Sequence, residues 1–438
     1  MSESEWLERA RRYCFQARLD RPQYDGPVFE RGFGSVVYDV EGKEYLDFNS
    51  GQMCSALGHN HPRIVEAVAE AMRTLMHASA TYYNAREIEL AERLASTLPA
   101  PLQKSLFALS GSDSNEAAIS IAKKVTGRWE IASPHTSFHG LSESPRQVTY
   151  GFGHKGLPPG PPGNFAMLAP YCFRCPVGQS LPDCEIVCLD ASLELLDVET
   201  ADGLAAIITE PLFSAGGVIE PPPGWLRCVA DATRERGALF ILDEAQTGLA
   251  KLGTMWAFEQ EDVVPDIVTV SKHFGGGISI SAVVTSEAIE EQILQRGFTY
   301  AHSHSSDPLG CAAALATLEI IEEESLCERA LVIGEWLRGG LEELAARHSV
   351  VGAIRGRGIL QGIELTRDDG SPAVELGELI GSACLRRGLL FSVRRSGSVI
   401  RLVPPFSTSE EQISRAVGIL DESLVEAVAS VPEVVSSR

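Results

Sequence analysis

The sequence predicts an open α/β fold with a smaller α/β domain at its C-terminal end, and three observations predict it. Two β-rich runs, Ala238 to Leu242 and Ile267 to Val270, each end beside a reactive residue, Asp243 and Lys272. Strands in open α/β sheets present such residues at their carboxyl ends, where ligands bind. The string LFALSGSDSNEAAISIAKKV reads as strand, turn and helix. Near the C-terminus, GAIRGRGILQGIEL and GSVIRLVPPF read as strands, with helices near 375–387 and 409–427.

Composition bounds the partners. The chain has 438 residues, 44% of them hydrophobic, enough for a large core and for two or three domains. Formal net charge is −22 and the pI is near 4.9. Such a protein gains nothing from DNA phosphates or anionic lipid. No apolar run approaches the ~20 residues of a membrane span. The opening MSESEWLERARRY is polar and amphipathic, without a signal-peptide core. These features predict a soluble, cytoplasmic enzyme with no nucleic-acid and no membrane partner. Ten cysteines in so long a chain do not make a disulfide scaffold. Four of them cluster as CxxC and CxxxC: Cys172, Cys175, Cys184 and Cys188. This spacing suits either a four-thiolate zinc centre or a surface excursion with free thiols. The eight-residue gap between the pairs and the lack of a histidine weigh toward the second.

Taken in order, residues 4–17 read as a helix. Val36 to Tyr38 and Tyr45 to Phe48 alternate around Glu41-Gly42-Lys43 as a hairpin. Pro62 opens a helix with Ile64, Val65, Val68 and Met72 as its apolar stripe. Asp113 and Glu116 have capping-box spacing, so Gly111 and Ser112 would offer backbone N–H groups at a helix N-terminus, a seat for phosphate. Residues 152–165 form a Pro/Gly-rich loop. A long helix begins at about Thr317. The divisions expected are 1–50, a helix and hairpin segment; 51–316, a large cofactor-binding domain; and 317–438, a small α/β domain.

Asp243 and Lys272 facing one crevice suit pyridoxal 5′-phosphate. Lysine forms a Schiff base with its aldehyde, and aspartate keeps a proton on the pyridine nitrogen. In isolation the same two residues would be a buried ion pair. The full strings DEAQTG, VPDIVTVSK and GGG are more specific. They resemble the class III aminotransferases among the fold-type I pyridoxal-phosphate enzymes, and within these the 2,2-dialkylglycine decarboxylase type. The likeness runs from about Phe29 to about Ile419. It implies a mixed, mostly parallel sheet flanked by helices. It also implies Lys272 as the Schiff-base lysine, Asp243 on the pyridine nitrogen and Gln246 on the phenolic oxygen. Gly111 and Ser112 lie in the phosphate loop and Phe138, in HTSFHG, takes the ring-stacking place where the decarboxylase carries Trp. His139 beside it reads equally as a core histidine. SGQM delivers Gln52 to the active site, and Glu210-Pro211 matches a pair at a strand end. Ala215 replaces a serine. Ser303 replaces a threonine that reaches the cofactor phosphate across a dimer interface, which implies a homodimer or dimer of dimers. Asp307 and Ser303 match ligands of an alkali-cation site, of which Ala80 replaces another. Arg401, in VIRLVPP, matches the arginine that grips the substrate carboxylate.

The resemblance implies transfer of an amino group from an amino acid to a 2-oxo acid. The Cα bond perpendicular to the cofactor ring is the one that breaks. Arg401 bidentate to a carboxylate in the ring plane exposes Cα–H and gives transamination. A carboxylate perpendicular to the ring, near Gln52 and Lys272, leaves as carbon dioxide, and Lys272 moves the proton. Gln52, Gln246, Ser303 and Arg401 favour the decarboxylating type; Phe138 and Ala215 favour an ordinary class III transaminase of an amine, ω-amino acid or unusual α-amino acid. A racemase or epimerase would need acid/base groups on both faces of Cα.

Overall fold

The computed structural model describes residues 1–16, 25–151 and 160–431. α1 (Glu3–Tyr13) starts at a capping box between Ser2 and Glu5 and ends before the extended Cys14, four residues short of the helix read from the sequence. β1 (Phe29–Phe33), β2 (Val36–Asp39) and β3 (Glu44–Asp47) are antiparallel neighbours. Asp39 Oδ1 accepts from the Glu41 and Lys43 N–H groups and fixes the expected turn. α2 (Ser50–Met53) is one irregular turn with left-handed φ at Gly51 and Gln52. α3 (Pro62–Thr74) opens at Pro62 as expected, but only part of its stripe is inside: Ile64 is buried and Val68 partly so, whereas Val65 and Met72 are exposed. α4 (Ala85–Ser96) is capped by Asn84.

The central sheet follows. In chain order its elements are β4 (Lys104–Ala108), α5 (Gly111–Thr126), β5 (Glu130–Pro134), α6 (Glu143–Gln147), β6 (Asn164–Met167), α7 (Val187–Glu199) and β7 (Leu204–Thr209). Then come α8 (Trp225–Glu235), β8 (Leu239–Asp243), β9 (Ile267–Val270), β10 (Ser281–Thr285) and α9 (Glu287–Gln295). The spatial order is β4-β10-β9-β8-β7-β5-β6. β10 is antiparallel to both neighbours and the other pairs are parallel, so the sheet is mixed and mostly parallel. Every residue of β5, β7, β9 and β10 is buried, as in parallel sheets covered on both faces. Alternate side chains serve opposite layers. Phe240, Leu242 and Val268 join the larger core with Trp256; Ile241, Ile267 and Val283 pack with Ala117, Ala118 and Ile121 of α5. Of the Pro/Gly-rich loop, 152–159 lie outside the described residues, and its last two, Asn164 and Phe165, already belong to β6.

α10 (Pro308–Glu323) and α11 (Leu326–Arg347) replace the single long helix expected from Thr317, with Ser325 in a left-handed conformation between them. α10 runs through residue 316 without a break. β11 (Val351–Arg357), β12 (Leu360–Leu365), α12 (Val374–Arg386), β13 (Leu389–Leu390), β14 (Ser392–Arg394), β15 (Val399–Leu402) and α13 (Glu410–Ser430) complete the chain. β11-β12-β15-β14 form an antiparallel sheet. β13 pairs in parallel with β3, Leu389 opposite Leu46, so the N-terminal hairpin and the C-terminal region share one sheet. No helix among the described residues is long and apolar enough to cross a membrane.

Candidate active site

The carboxyl ends of the parallel strands converge on one cavity of about 280 Å³. β4 hands over to α5 through Ser110, β8 ends on Asp243, and Lys272 follows β9 by two residues. Six residues singled out in the sequence line this cavity together: Gly111, Ser112, Phe138, Asp243, Gln246 and Lys272.

The α5 N-terminus is built by a capping box, though not the expected one. Ser110 Oγ accepts from the Asp113 N–H and the Asp113 carboxylate accepts from the Ser110 N–H. Glu116 instead accepts from the Ser144 N–H at 3.0 Å, because the true N-cap lies three residues before Asp113. The first-turn N–H groups of Gly111 and Ser112 precede the helical ladder. A Cβ on Gly111 would stand 2.7 Å from Ser271 Oγ, so any larger residue there must displace that hydroxyl.

Asp243 is 3% exposed and fully engaged. Its Oδ2 accepts from Asn115 Nδ2 at 2.7 Å and lies 2.9 Å from His139 Nδ1; its Oδ1 accepts from the Ala245 N–H at 3.0 Å. His139 Nε2 meets Ser133 Oγ at 3.2 Å, and Asn115 Oδ1 accepts from Thr269 Oγ1 at 2.7 Å. The histidine that the sequence left ambiguous is therefore a partner of the aspartate. Asn115 carries no sequence signal beyond lying one helical turn after Gly111.

Lys272 takes a left-handed φ of +57° at the head of a short 3₁₀ turn. Its amine is pressed below the ordinary lysine range by burial, while Arg401 and Arg394 add to the depression and Asp243 opposes it. The next residue, His273, is clamped by Lys251 Nζ at 2.7 Å on Nδ1 and by the Leu249 carbonyl at 2.9 Å on Nε2.

Arg401 sits on β15 and is 2% exposed. Nη1 donates to Gln246 Oε1 at 2.9 Å and to Ser214 Oγ at 3.1 Å, and Nη2 donates to Ser392 Oγ at 3.1 Å. These acceptors are neutral, and Nε is buried without a partner. Burial, then the neighbouring Arg394, push this guanidinium well below its ordinary range. Glu210 is also buried. Its Oε1 accepts from the Phe138 N–H, its Oε2 has no hydrogen-bond partner, and burial followed by Asp243 pushes its carboxyl up.

Four expected residues stand apart from the cavity lining; one is Arg401, which is joined to it through Gln246. Gln52 is exposed and lines the neighbouring open groove with Asp47, His59 and Arg394. A polar chain still joins it to the site: Asn49 Nδ2 donates to Gln52 Oε1 at 2.9 Å, Ser392 Oγ donates to Asn49 Oδ1, and Ser392 meets Arg401. Ser303 is exposed in the turn before α10. Asp307 engages two histidines, with Oδ1 2.6 Å from His77 Nδ1 and Oδ2 2.5 Å from His304 Nδ1. Among the described residues, these three are the metal-capable donors that gather within 4.8 Å of one another.

The donor set fits pyridoxal phosphate. A depressed lysine amine, an aspartate oriented by three donors and a glycine-lined helix N-terminus share one cavity. Comparison with known proteins agrees. The profile of the family described as Aminotransferase class-III matches residues 21–424. An uncharacterised aminotransferase of Schizosaccharomyces pombe is 36% identical over 403 residues, covering 91% of this chain and 90% of that protein. Acetylornithine aminotransferase of Methanothermobacter thermautotrophicus is 34% identical, covering 96% of this chain and 98% of the other. The solved structure of an (S)-enantioselective omega-transaminase from Thermomicrobium roseum is 30% identical with a TM-score of 0.90, covering 98% and 99% of the two chains.

Proposed function

The chain belongs to the class III aminotransferases, enzymes of pyridoxal 5′-phosphate, and from that premise we propose that it moves an amino group between a carboxylate-bearing donor and a 2-oxo acid. Arg401 carries this reading. Among the described residues its hydrogen bonds go to neutral oxygens only. The carboxyl that acts on it, Glu210, is itself pushed up by burial; a buried cation so weakly compensated is costly, and a substrate carboxylate in bidentate contact supplies a full counter-charge.

Bound pyridoxal phosphate supplies an aldehyde that receives the amino group and a ring that takes up the electrons of one broken Cα bond. We assign the protein's part as follows. Lys272 holds the cofactor and carries the proton to and from Cα; its depressed pKa enlarges the neutral fraction available for that work. Asp243, oriented by His139 and Asn115, holds the proton of the ring nitrogen. Gly111 and Ser112 would receive the phosphate at the helix N-terminus, and Phe138 would lie against the ring. Gln246, which accepts from Arg401, would serve the cofactor's ring oxygen. Ser303 of a second copy completes the phosphate site, which makes the working form a homodimer or a dimer of dimers.

The donor class is an amino acid, including ω-amino acids, whose carboxylate reaches Arg401. The relative named for acetylornithine supports such a donor. The decarboxylating reading rests on Gln52, tied to Arg401 through Asn49 and Ser392. Its exposure and its place in the adjacent groove favour ordinary transamination over that reading. A panel of α-amino acids, ω-amino acids, amines and 2-aminoisobutyrate, with pyruvate and 2-oxoglutarate as acceptors, separates the two. Amino transfer without carbon dioxide is expected from the α-hydrogen donors. Carbon dioxide from 2-aminoisobutyrate would establish the decarboxylating type, and failure of every carboxylate donor would remove the reading of Arg401.

A further inference from the structure

Remote from the pyridoxal-phosphate chemistry, residues 172–188 bring four of the ten cysteines to one place. Cys172 opens a 3₁₀ turn ending at Arg174, and Cys175 follows it. The Gly178 N–H donates to the Cys175 carbonyl at 3.2 Å, and the Val187 N–H donates to the Cys184 carbonyl at 3.0 Å. Between Cys184 and Cys188, Glu185 and Ile186 take φ of +45° and +59°. Two consecutive side-chain-bearing residues in this region cost on the order of 1–3 kcal/mol each and persist where the surroundings demand them. The result is that Cys172, Cys175, Cys184 and Cys188 line a single cavity of about 20 Å³. The rest of its wall is apolar apart from Tyr171 and Gln179, and no charged side chain lines it. The space holds one small occupant, and four sulfurs select a soft cation over water.

We propose that Cys172, Cys175, Cys184 and Cys188 bind one structural zinc ion as a closed four-thiolate centre. The pairs C-x-x-C and C-x-x-x-C have ligand spacing for such a site. Zinc–sulfur bonds of ~2.3 Å place the sulfurs roughly 3.8 Å apart in a tetrahedron. Among the described residues no three of these sulfurs lie within the 4.8 Å that gathers His77, His304 and Asp307, so the metal must draw them together. Four thiols lose their protons to solvent, four Zn–S bonds form, and no electron moves.

The consequence reaches the substrate side. Tyr171 and Arg174, on either side of Cys172, both bond the fully buried Glu364 of β12, Arg174 Nε at 2.5 Å. Glu364 also pairs with Arg355 at 2.6 Å. β12 pairs with β15, Gly362 opposite Arg401. The zinc centre therefore anchors the loop that clamps the sheet bearing Arg401.

The test is metal analysis of the holoenzyme purified with a reductant and without chelators. About one zinc per chain is expected, falling about tenfold or more in Cys175→Ser and in Cys184→Ser. Both positions are partly exposed, and retention of the yellow cofactor shows that these variants fold. Protein produced with cobalt should show the red-region band of tetrahedral cobalt thiolate, where pyridoxal phosphate does not absorb, and each substitution should abolish it. Zinc-free protein as purified, equal zinc in wild type and variants, or a Cys172–Cys175 disulfide in fresh protein would each overturn the proposal.

Discussion

Arg401 and Lys272 carry the residue-scale argument, because burial disfavours the charged form of each. Arg401→Lys keeps the charge but loses the planar fork. Losing hydrogen bonds to a charged group costs roughly 1.5–3 kcal/mol, about one to two powers of ten in rate. Steady-state assays should show kcat/KM falling by that factor for amino and 2-oxo acids and little changed for simple amines. An equal fall for all substrates would make Arg401 structural. For Lys272, borohydride reduction of the yellow enzyme should fix the cofactor on the tryptic peptide containing Lys272. Recovery on another lysine, Lys251 included, would refute that assignment. At this scale most of the cavity was legible from the sequence, because DEAQTG and VSKHFGGG fix which strand ends carry the chemistry. His139, Asn115 and the unpaired oxygen of Glu210 were not. Their meaning lies in contacts across 104, 128 and 72 residues of sequence separation or in the lack of one, which no local pattern encodes.

At the scale of elements, local grammar read the strands well and the helix ends less well. β9 has the expected bounds, and β8 is displaced by one residue from the run read in the sequence. The capping box shifted to Ser110 and Asp113 because two overlapping spacings compete in SGSDSNE. The short turn at Glu324-Ser325 divides the single long helix expected from Thr317. Gly111→Ala tests the helix N-terminus: its Cβ meets Ser271 Oγ, so equilibrium dialysis should show weaker cofactor retention with the fold intact by circular dichroism. The loop from β8 gives a second test. Lys251 is fully buried, and burial lowers its ammonium pKa to about 7. An unfolded lysine titrates near ~10.4. Between these values the unfolded chain binds more protons, so this group makes stability rise with pH, by up to about 1.4 kcal/mol per pH unit. Glu244, raised to about 7 by burial, acts in the window below, where stability falls as pH rises from its unfolded pKa. Denaturation midpoints measured from pH ~7 to ~9.5 should climb in wild type relative to Lys251→Met. Parallel curves would show that Lys251 does not titrate there.

The whole molecule presents an exposed apolar stretch beside the turn that carries Ser303. Val65, Met72, Leu75, Met76, Tyr82 and Tyr83 are all exposed, in a stretch running from α3 to the start of α4. Single exposed apolar residues are ordinary, but a contiguous set marks an interface. The stripe on α3 was legible as hydrophobic spacing; which part faces the core and which part faces outward was not, since one chain's periodicity does not distinguish its own interior from a partner. Asn84 bonds the Ser306 carbonyl at 2.9 Å, and His77 bonds Asp307, so this stretch and the Ser303 turn form one surface. Ser303 is exposed and absent from the lining of its own chain's cavity, so the phosphate contact proposed for it requires a second copy. Sedimentation should therefore give at least twice the chain mass, and Met72→Glu with Tyr83→Glu should shift it toward the monomer with loss of cofactor. Hybrids sharpen the test. In a dimer of Lys272→Ala with Ser303→Asp chains, one of the two sites receives both an intact Lys272 and an intact Ser303. Mixing the two inactive proteins under conditions of proven subunit exchange should restore up to about a quarter of wild-type activity, half the dimers being hybrid with one competent site each. No restoration would mean that each chain completes its own site and that the exposed surface serves some other contact.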